Sequence, residues 1–372
     1  MSMFSCVRCG ACVGVALTIL AVVLAPSVAG ADPRERAAVF ISDDRIETVR
    51  ERIEQQQEPT WSAYQALLAQ APALLAHQPQ VPETWHVPGF YPDPEGHREG
   101  KGGLQDDANA AYQLALLYRL TDEPRYAEAA ARLAHAWAGL ETLSTEADST
   151  LSFSYHFPAL IFAADMLRGS DAWTDEHETR FARFVRDKAV GMNTMDRANN
   201  WGNWGLVLVL ASAAFLDDDE LFAQGVERWK QFIDEQIADD GHLPHEVGRN
   251  GGRGERGIWY SHFTLMPQTL AAEIARVRGV DLYDYTSPSG QTLADAFHRL
   301  APWARDPSTF PYYTADAAEH PQRGVDYVSY FEILHARWPH PDAAAMLEAR
   351  RPLTASHSAP VLTLTHGEPI SE

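Results

Sequence analysis

The chain has 372 residues, of which 45% are hydrophobic, and its formal net charge at pH 7 is −21. This length is enough for one large hydrophobic core or two small domains. The acidity argues against a nucleic-acid partner, and it also opposes a polyanionic ligand unless arginines and lysines reverse the field locally.

The first 31 residues are predicted to be a secretory signal peptide. Arg8 precedes an apolar run from Val13 to Leu24, and the small residues at 29–31 resemble a cleavage site. The apolar run is too short for a comfortable membrane span. We therefore expect a single domain from 32 to 372 that is periplasmic or secreted, free of the membrane and monomeric.

The three cysteines all lie in this leader, at positions 6, 9 and 12. The mature chain would then contain neither a disulfide nor a thiolate metal site. We expect no metal and no cofactor.

Amphipathic helical patterns follow one another along the rest of the chain, with apolar residues three and four positions apart. These stretches are 43–57, 61–76, 104–121, 124–140, 175–190, 220–238 and 261–279. Alternating strand patterns are nearly absent, although 359–366 allows short strands. Such a series predicts an all-α fold of helical hairpins, either an α/α toroid (an incomplete barrel) or an open solenoid. The toroid is favoured because the sequence shows no fixed repeat length.

Two irregular segments interrupt the helices. The segment 77–103 is rich in proline, glycine and aromatic residues and is too long for an idle turn. We expect it to form a lid or a wall of a cleft. The segment 239–257 combines glycines, histidines and arginines between two clear helices.

The stretch DRANNWGNWG, residues 196–205, concentrates amides and indoles before an apolar run. Asn200 and Asn203 have side chains that cap helices but also bind sugar oxygens. Trp201 and Trp204 are suited equally to a buried core and to stacking on a sugar ring. Together they favour a carbohydrate site over a simple capped helix.

A set of basic and phenolic residues follows further along the chain: His245, Arg249, Arg253, Arg256 and Tyr260. Together with the asparagine side chains, these residue types are suited to β-elimination at a β-1,4-linked uronate. An amide or a cation stabilises the developing enolate, a base removes H5, and an acid protonates O4. A tyrosine can supply both proton transfers if a nearby cation lowers its pKa from about 10.

Three segments, 105–137, 199–204 and 240–283, resemble the alginate lyase family of polysaccharide lyases. The resemblance implies an α/α toroid in which Tyr260 is the catalytic tyrosine. It further implies that Asn200 binds the substrate carboxylate and that Arg249 or Arg253 is the substrate arginine.

One position departs from that family pattern, because family members carry a histidine where this chain has Trp201. His245 or His156 is then the expected replacement. The other predicted substrate-binding residues are Arg253, Arg256, Trp201, Asn203 and Trp204.

The leading hypothesis is a lyase that acts on an anionic polysaccharide, with polymannuronate (alginate) as first choice and glucuronan or another glucuronate polymer as the alternative. A second class is an α/α-toroid glycoside hydrolase, which needs two carboxylates; Asp106, Asp107 and Glu246 are its candidates. A third is a protein that binds oligouronates without cleaving them.

Overall fold

The computed structural model describes residues 38–249, 254–314 and 327–370. The predicted signal peptide and Arg253 therefore lie outside the described residues. The helices are α1 (Asp43–Glu54), α2 (Thr60–Ala76), α3 (Pro94–Thr121), α4 (Pro124–Trp137), α5 (Ser149–His156), α6 (Pro158–Leu167), α7 (Asp175–Phe184), α8 (Asn200–Leu216), α9 (Asp219–Gln236), α10 (Pro244–Val247), α11 (Gly257–Val277), α12 (Leu293–Arg305), α13 (Phe331–Arg337), α14 (Pro341–Arg350) and α15 (Leu362–His366).

Helix starts carry the side chains that an N-terminus requires. Ser42 and Thr174 precede α1 and α7, and the hydroxyl oxygen of each accepts a hydrogen bond from a backbone N–H of the first turn. Prolines occupy the first turn of α3, α4 and α6, where a missing N–H costs nothing (Pro94, Pro124 and Pro158). The sequence therefore fixes these boundaries locally.

The helices pair as hairpins, with α8 at the centre. Only Asp122 and Glu123 separate α3 from α4, and only Asp217 and Asp218 separate α8 from α9. Because each pair also packs side by side, so short a connection makes the two helices antiparallel. Helix α8 further contacts α11, α5 and α6, and its residues 206–210 are completely buried.

The C-terminal segment differs from its predicted strands. Residues 362–366 form α15, in which all five side chains are buried. All side chains of 359–366 are buried, and the periodicity of a run buried on every side does not distinguish a strand from a helix. The strands found within the described ranges are Thr84–Trp85 and Thr142–Leu143, which pair in parallel.

Two further differences concern helix recognition. The periodic pattern did not reveal α5 and α6, because nearly all of their side chains are buried and no polar face remains to mark a helix.

The irregular segment expected over 77–103 ends at Asp93, whose carboxylate accepts from the N–H of Gly96 and caps α3. The lid expectation thus applies to the residues before Pro94.

Buried apolar side chains form one continuous cluster from Val39 to Leu364. The domain limits stay a prediction, since the leader is outside the described ranges. No helix in those ranges is both long and apolar enough to cross a membrane.

Candidate active site

A cavity of about 490 Å³ opens where α8 and α11 begin, beside the segment that precedes α3. Four of the predicted site residues line it: Asn200, Trp201, Arg249 and Tyr260. A cavity of this size is ordinary for a small-molecule or oligosaccharide site. The fold therefore brings together residues that are up to 60 positions apart in the chain.

A second cavity, of about 560 Å³, lies beside α1 and contains none of the predicted residues. Ion pairs occupy its wall, including Arg50 with Asp122 at 3.0 Å and Arg119 with Asp43 at 2.6 Å. These charges already satisfy one another, so the smaller cavity is the candidate active site.

The start of α8 explains the amide- and glycine-rich stretch. Asn199 caps the helix, and its side-chain oxygen accepts from the N–H of Trp201 at 3.1 Å. A Cβ on Gly202 would lie 1.9 Å from the carbonyl oxygen of Arg197, so only glycine lets the preceding turn approach the helix this closely. The guanidinium of Arg197 covers one face of the Trp201 ring at 4.1 Å, and the indole lies at the cavity wall.

Asn200 and Arg249 are joined through the carboxylate of Glu246, which is 1% exposed. Oε1 of Glu246 accepts from the backbone N–H of Asn200 at 3.2 Å and from its Nδ2 at 3.1 Å. Oε2 accepts from Nε of Arg249 at 3.0 Å. An amide nitrogen carries two hydrogens, so one can bind Glu246 while the other remains for a ligand. Glu246 was named from sequence only as a hydrolase candidate; here it positions two neighbouring side chains.

Tyr260 lies in the first turn of α11 and is 7% exposed. Its hydroxyl is 2.6 Å from the hydroxyl of Tyr91, and the guanidinium of Arg249 lies 4.6 Å from its ring centre. Burial and the Tyr91 hydroxyl raise the pKa of Tyr260, while Arg249 and Arg256 act in the opposite direction. This differs from the expectation that nearby cations lower the pKa, because desolvation outweighs them.

Tyr91, which the sequence did not single out, is 59% exposed and extends over the cavity. The guanidinium of Arg256 lies 5.2 Å from the ring centres of both Phe90 and Tyr91. Cation–π contacts of this kind hold an aromatic loop in place. One signal for this segment is available in the sequence, its aromatic, proline-rich composition. That composition indicates a wall of a cleft, but it does not indicate which ring contacts Tyr260.

Among the described residues that line the cavity, cations outnumber carboxylates, and two of these cations are ion-paired, Arg98 with Glu95 and Arg249 with Glu246. Arg98, Lys101 and Arg249 line it, whereas Asp148 is the one carboxylate among its described lining residues. Asp148 already accepts from the backbone N–H of Phe90 at 2.8 Å. Lys101 is half-buried, and burial lowers its pKa.

Several predicted site residues do not line this cavity. His245 is exposed on α10 and does not line the cavity, because the buried face of this short helix carries Glu246 and Val247. His156, Asn203 and Trp204 are each at most 1% exposed and lie in the core behind the wall. Asn200 is buried to the same degree, but it lines the cavity, whereas these three residues do not.

The carboxylates proposed for a hydrolase do not converge. Asp107 is completely buried, and it accepts from Nε1 of Trp137 at 2.7 Å and from the N–H of Gln80 at 2.6 Å. Asp106 is exposed outside the cavity. Neither forms a pair across the cleft with Glu246, as glycoside hydrolysis requires.

A family model described as alginate lyase matches residues 51–310, which is more than half of the chain. The chain belongs to the alginate lyase family. Membership agrees with the resemblance of the three segments noted in the sequence.

Curated relatives in this family match over part of their length. A polysaccharide lyase of Stenotrophomonas maltophilia (strain K279a) is 34% identical over 47% of this chain and 50% of its own. An alginate lyase of Pseudomonas putida (strain GB-1) is 30% identical over 36% of this chain and 34% of its own. The chain thus spans half or less of the length of these relatives.

Solved structures match over nearly the whole fold. A tyrosine-to-phenylalanine variant of alginate lyase A1-III complexed with tetrasaccharide has a TM-score of 0.72 at 20% identity, covering 91% of this chain and 97% of that one. An alginate lyase from Bacteroides ovatus has a TM-score of 0.66 at 19% identity, covering 89% and 99%. At such identities the likeness shows the fold alone, and it confirms the predicted all-α, α/α-toroid architecture.

Proposed function

We propose that the protein is a polysaccharide lyase that cleaves a β-1,4-linked polyuronate by β-elimination, with polymannuronate as the first-choice substrate. The observation that carries this proposal is the contact chain Asn200–Glu246–Arg249–Tyr260 at one cavity wall. It places an amide, a cation and a phenol where one uronate residue could meet all three. Family membership supports the same reaction class.

The proposed reaction assigns each group one task. The amide of Asn200 and the guanidinium of Arg249 bind the uronate carboxylate and stabilise the enolate that forms when H5 leaves. The Tyr260 phenolate takes H5 from C5, and the electron pair forms the C4–C5 double bond as the C4–O4 bond breaks. Tyr260 then returns the proton to O4. The products are a 4,5-unsaturated uronate end and a new chain end with a free hydroxyl.

The remaining wall residues bind rather than react. Trp201 offers its ring at the cavity edge, and Tyr91, supported by Arg256, lies beside the Tyr260 hydroxyl at the cavity wall. Arg253 stays a predicted substrate-binding residue outside the described ranges. A periplasmic or secreted location fits a polymeric substrate that the cell meets outside its cytoplasm.

Glucuronan remains the second candidate substrate. Mannuronate and glucuronate differ at C2 and share the C4 and C5 arrangement, so one tyrosine on one face serves both. One relative carries the general name polysaccharide lyase and another the name alginate lyase, which favours testing both polymers.

The test is a panel of polymannuronate, polyguluronate, glucuronan and hyaluronan, monitored by ultraviolet absorbance of the conjugated double bond. We expect absorbance to rise with polymannuronate, with glucuronan or with both. Reducing ends without absorbance would indicate a hydrolase. Binding of a polymer with neither unsaturated product nor new reducing ends would indicate a protein that binds uronates without cleaving them.

We also expect cleavage to weaken as salt rises. Arg98 and Arg249 are partly exposed, so their attraction for a polyanion is screened once the Debye length falls from about 10 Å at 0.1 M salt to about 3 Å at 1 M. KM for the polymer should rise several-fold over this range, while kcat changes less. The measurement is initial rate against substrate at a series of sodium chloride concentrations. A KM independent of salt would contradict a positively charged cleft.

A further inference from the structure

The cavity wall includes a histidine that the sequence analysis did not select. His357 follows α14 and lines the same cavity as Asn200 and Tyr260, as does its neighbour Ser356. It is 5% exposed. The position lies beyond residue 310, where the match to the family model ends.

Aromatic rings fix the orientation of this imidazole. His156 stacks on it with ring centres 5.3 Å apart and planes 11° apart. Trp204 lies at 5.5 Å and 30°, and Tyr155 meets it edge-on at 4.8 Å. The neighbouring Ser358 donates to the carbonyl oxygen of Tyr155 at 3.0 Å, which anchors the segment to α5. A ring held on these sides is preorganised, so a ligand would not have to order it.

The hydrogen bonds of His357 leave one ring nitrogen for a ligand. Nδ1 is 3.1 Å from Oγ of Ser356. When the serine hydroxyl donates to Nδ1, the ring hydrogen is on Nε2, which makes no hydrogen bond within the described residues. Burial lowers the pKa of His357 to about 3, and the charge of Lys101 acts in the same direction. The imidazole is then neutral at working pH and serves as a donor without its own charge.

Lys101 supplies the charge that the imidazole lacks. It lines the same cavity, and its amino group is hydrogen-bonded to Oε1 of Gln105. Asp148, the carboxylate at this wall, already accepts a hydrogen bond from the N–H of Phe90. A cation and a neutral N–H donor that line one cavity are together complementary to a carboxylate.

We propose that His357 is a further substrate-binding residue of this cavity, where Nε2–H donates to a uronate carboxylate whose charge is balanced by Lys101. A polyuronate carries one carboxylate on every sugar, so a second carboxylate site would bind a residue next to the one held by Asn200 and Arg249. This inference rests on the proposed function, because it assumes a uronate in the cavity.

The test compares His357→Ala, His357→Gln and Lys101→Met with the unchanged protein on the best substrate of the panel. Loss of one hydrogen bond to a charged group is worth about tenfold in affinity. We expect KM to rise about tenfold for His357→Ala with kcat changed less than threefold, and the amide of His357→Gln to recover part of the loss. His86→Ala, an exposed histidine outside the cavity, is the matched control.

A merely structural role would give a different result. It would lower the melting temperature and kcat together, and His357→Gln would not restore KM. Binding of an oligouronate to the His357→Ala protein, measured by calorimetry, must weaken by the same factor as KM rises. An unchanged KM and unchanged binding in a folded, active His357→Ala protein would overturn this inference alone. An unchanged protein that forms no unsaturated product from any uronate would instead overturn the proposed function.

Discussion

Tyr260→Phe is expected to lower turnover by about 10² or more, the usual scale of acid–base catalysis, while the fold survives. The substitution removes one oxygen and keeps a ring that packs between Trp259 and Arg249. The only described hydrogen-bond partner of the Tyr260 hydroxyl is the hydroxyl of Tyr91. Tyr91 is exposed, so its hydroxyl can turn to water. Turnover is measured by absorbance of the unsaturated product, and oligosaccharide affinity by calorimetry.

Tyr64→Phe provides the matched control. Tyr64 is half-buried on α2, contacts Trp61, and lies outside the cavity. Its loss should leave kcat and KM within twofold. If Tyr260→Phe formed unsaturated product at a near-normal rate, the proton transfers would have to be assigned to another residue. If it lost binding together with turnover, the hydroxyl would be a substrate-binding group instead.

The raised pKa of Tyr260 sets the expected pH dependence of the same enzyme. Since burial raises that pKa above its usual value of about 10, the hydroxyl is protonated in the free enzyme at neutral pH. The reactive phenolate fraction therefore increases as pH rises, and kcat/KM should increase toward alkaline pH until the protein unfolds. The residual activity of Tyr260→Phe should lack this rise. A profile with a maximum near neutrality and an alkaline decline would contradict the phenolate as base.

The parts of the site that the sequence predicted are those with a local signal. Asn199 sits before an apolar helix, and a cap followed by such a run is readable from neighbouring residues alone. Tyr260 was selected because it follows a loop of cations at the start of a helix, and the resemblance to the family pointed to the same residue. Each of these inferences needed only a short window of chain.

The missed residues depend on contacts between distant segments. Tyr91 reaches Tyr260 across 169 positions, and His357 reaches the wall because the chain after α14 folds back onto α5. On α10, His245 is exposed and Glu246 is buried, and a helix of four residues is too short to show this difference as a periodicity in the sequence. Neither composition nor spacing contains this information, because it arises when the toroid closes.

Glu246→Gln is expected to damage both stability and catalysis. The carboxylate is buried and accepts from Asn200 and Arg249 at 3.0–3.2 Å. The glutamine side chain has the shape of the glutamate side chain but carries no charge. It presents to Asn200 and Arg249 either a single acceptor oxygen or an N–H₂ group, which cannot accept from these donors. Losing hydrogen bonds to a buried charge costs about 1.5–3 kcal/mol, so the free energy of unfolding should fall by that amount in a denaturant titration. Displacing the Asn200 amide and the Arg249 guanidinium by about 1 Å should lower kcat up to 10²-fold.

Glu227→Gln tests whether this effect comes from burial. Glu227 and Lys230 on α9 form an ion pair with the same three-residue spacing as Glu246 and Arg249, but Glu227 is 65% exposed. An exposed pair contributes about 0–1 kcal/mol, so this substitution should change neither stability nor kcat appreciably. Removing the carboxylate of Glu246 also leaves Arg249 with its full charge for a polyanion. Tighter binding with undiminished kcat would then show that Glu246 attenuates the arginine, and that orientation of Asn200 and Arg249 does not limit the reaction.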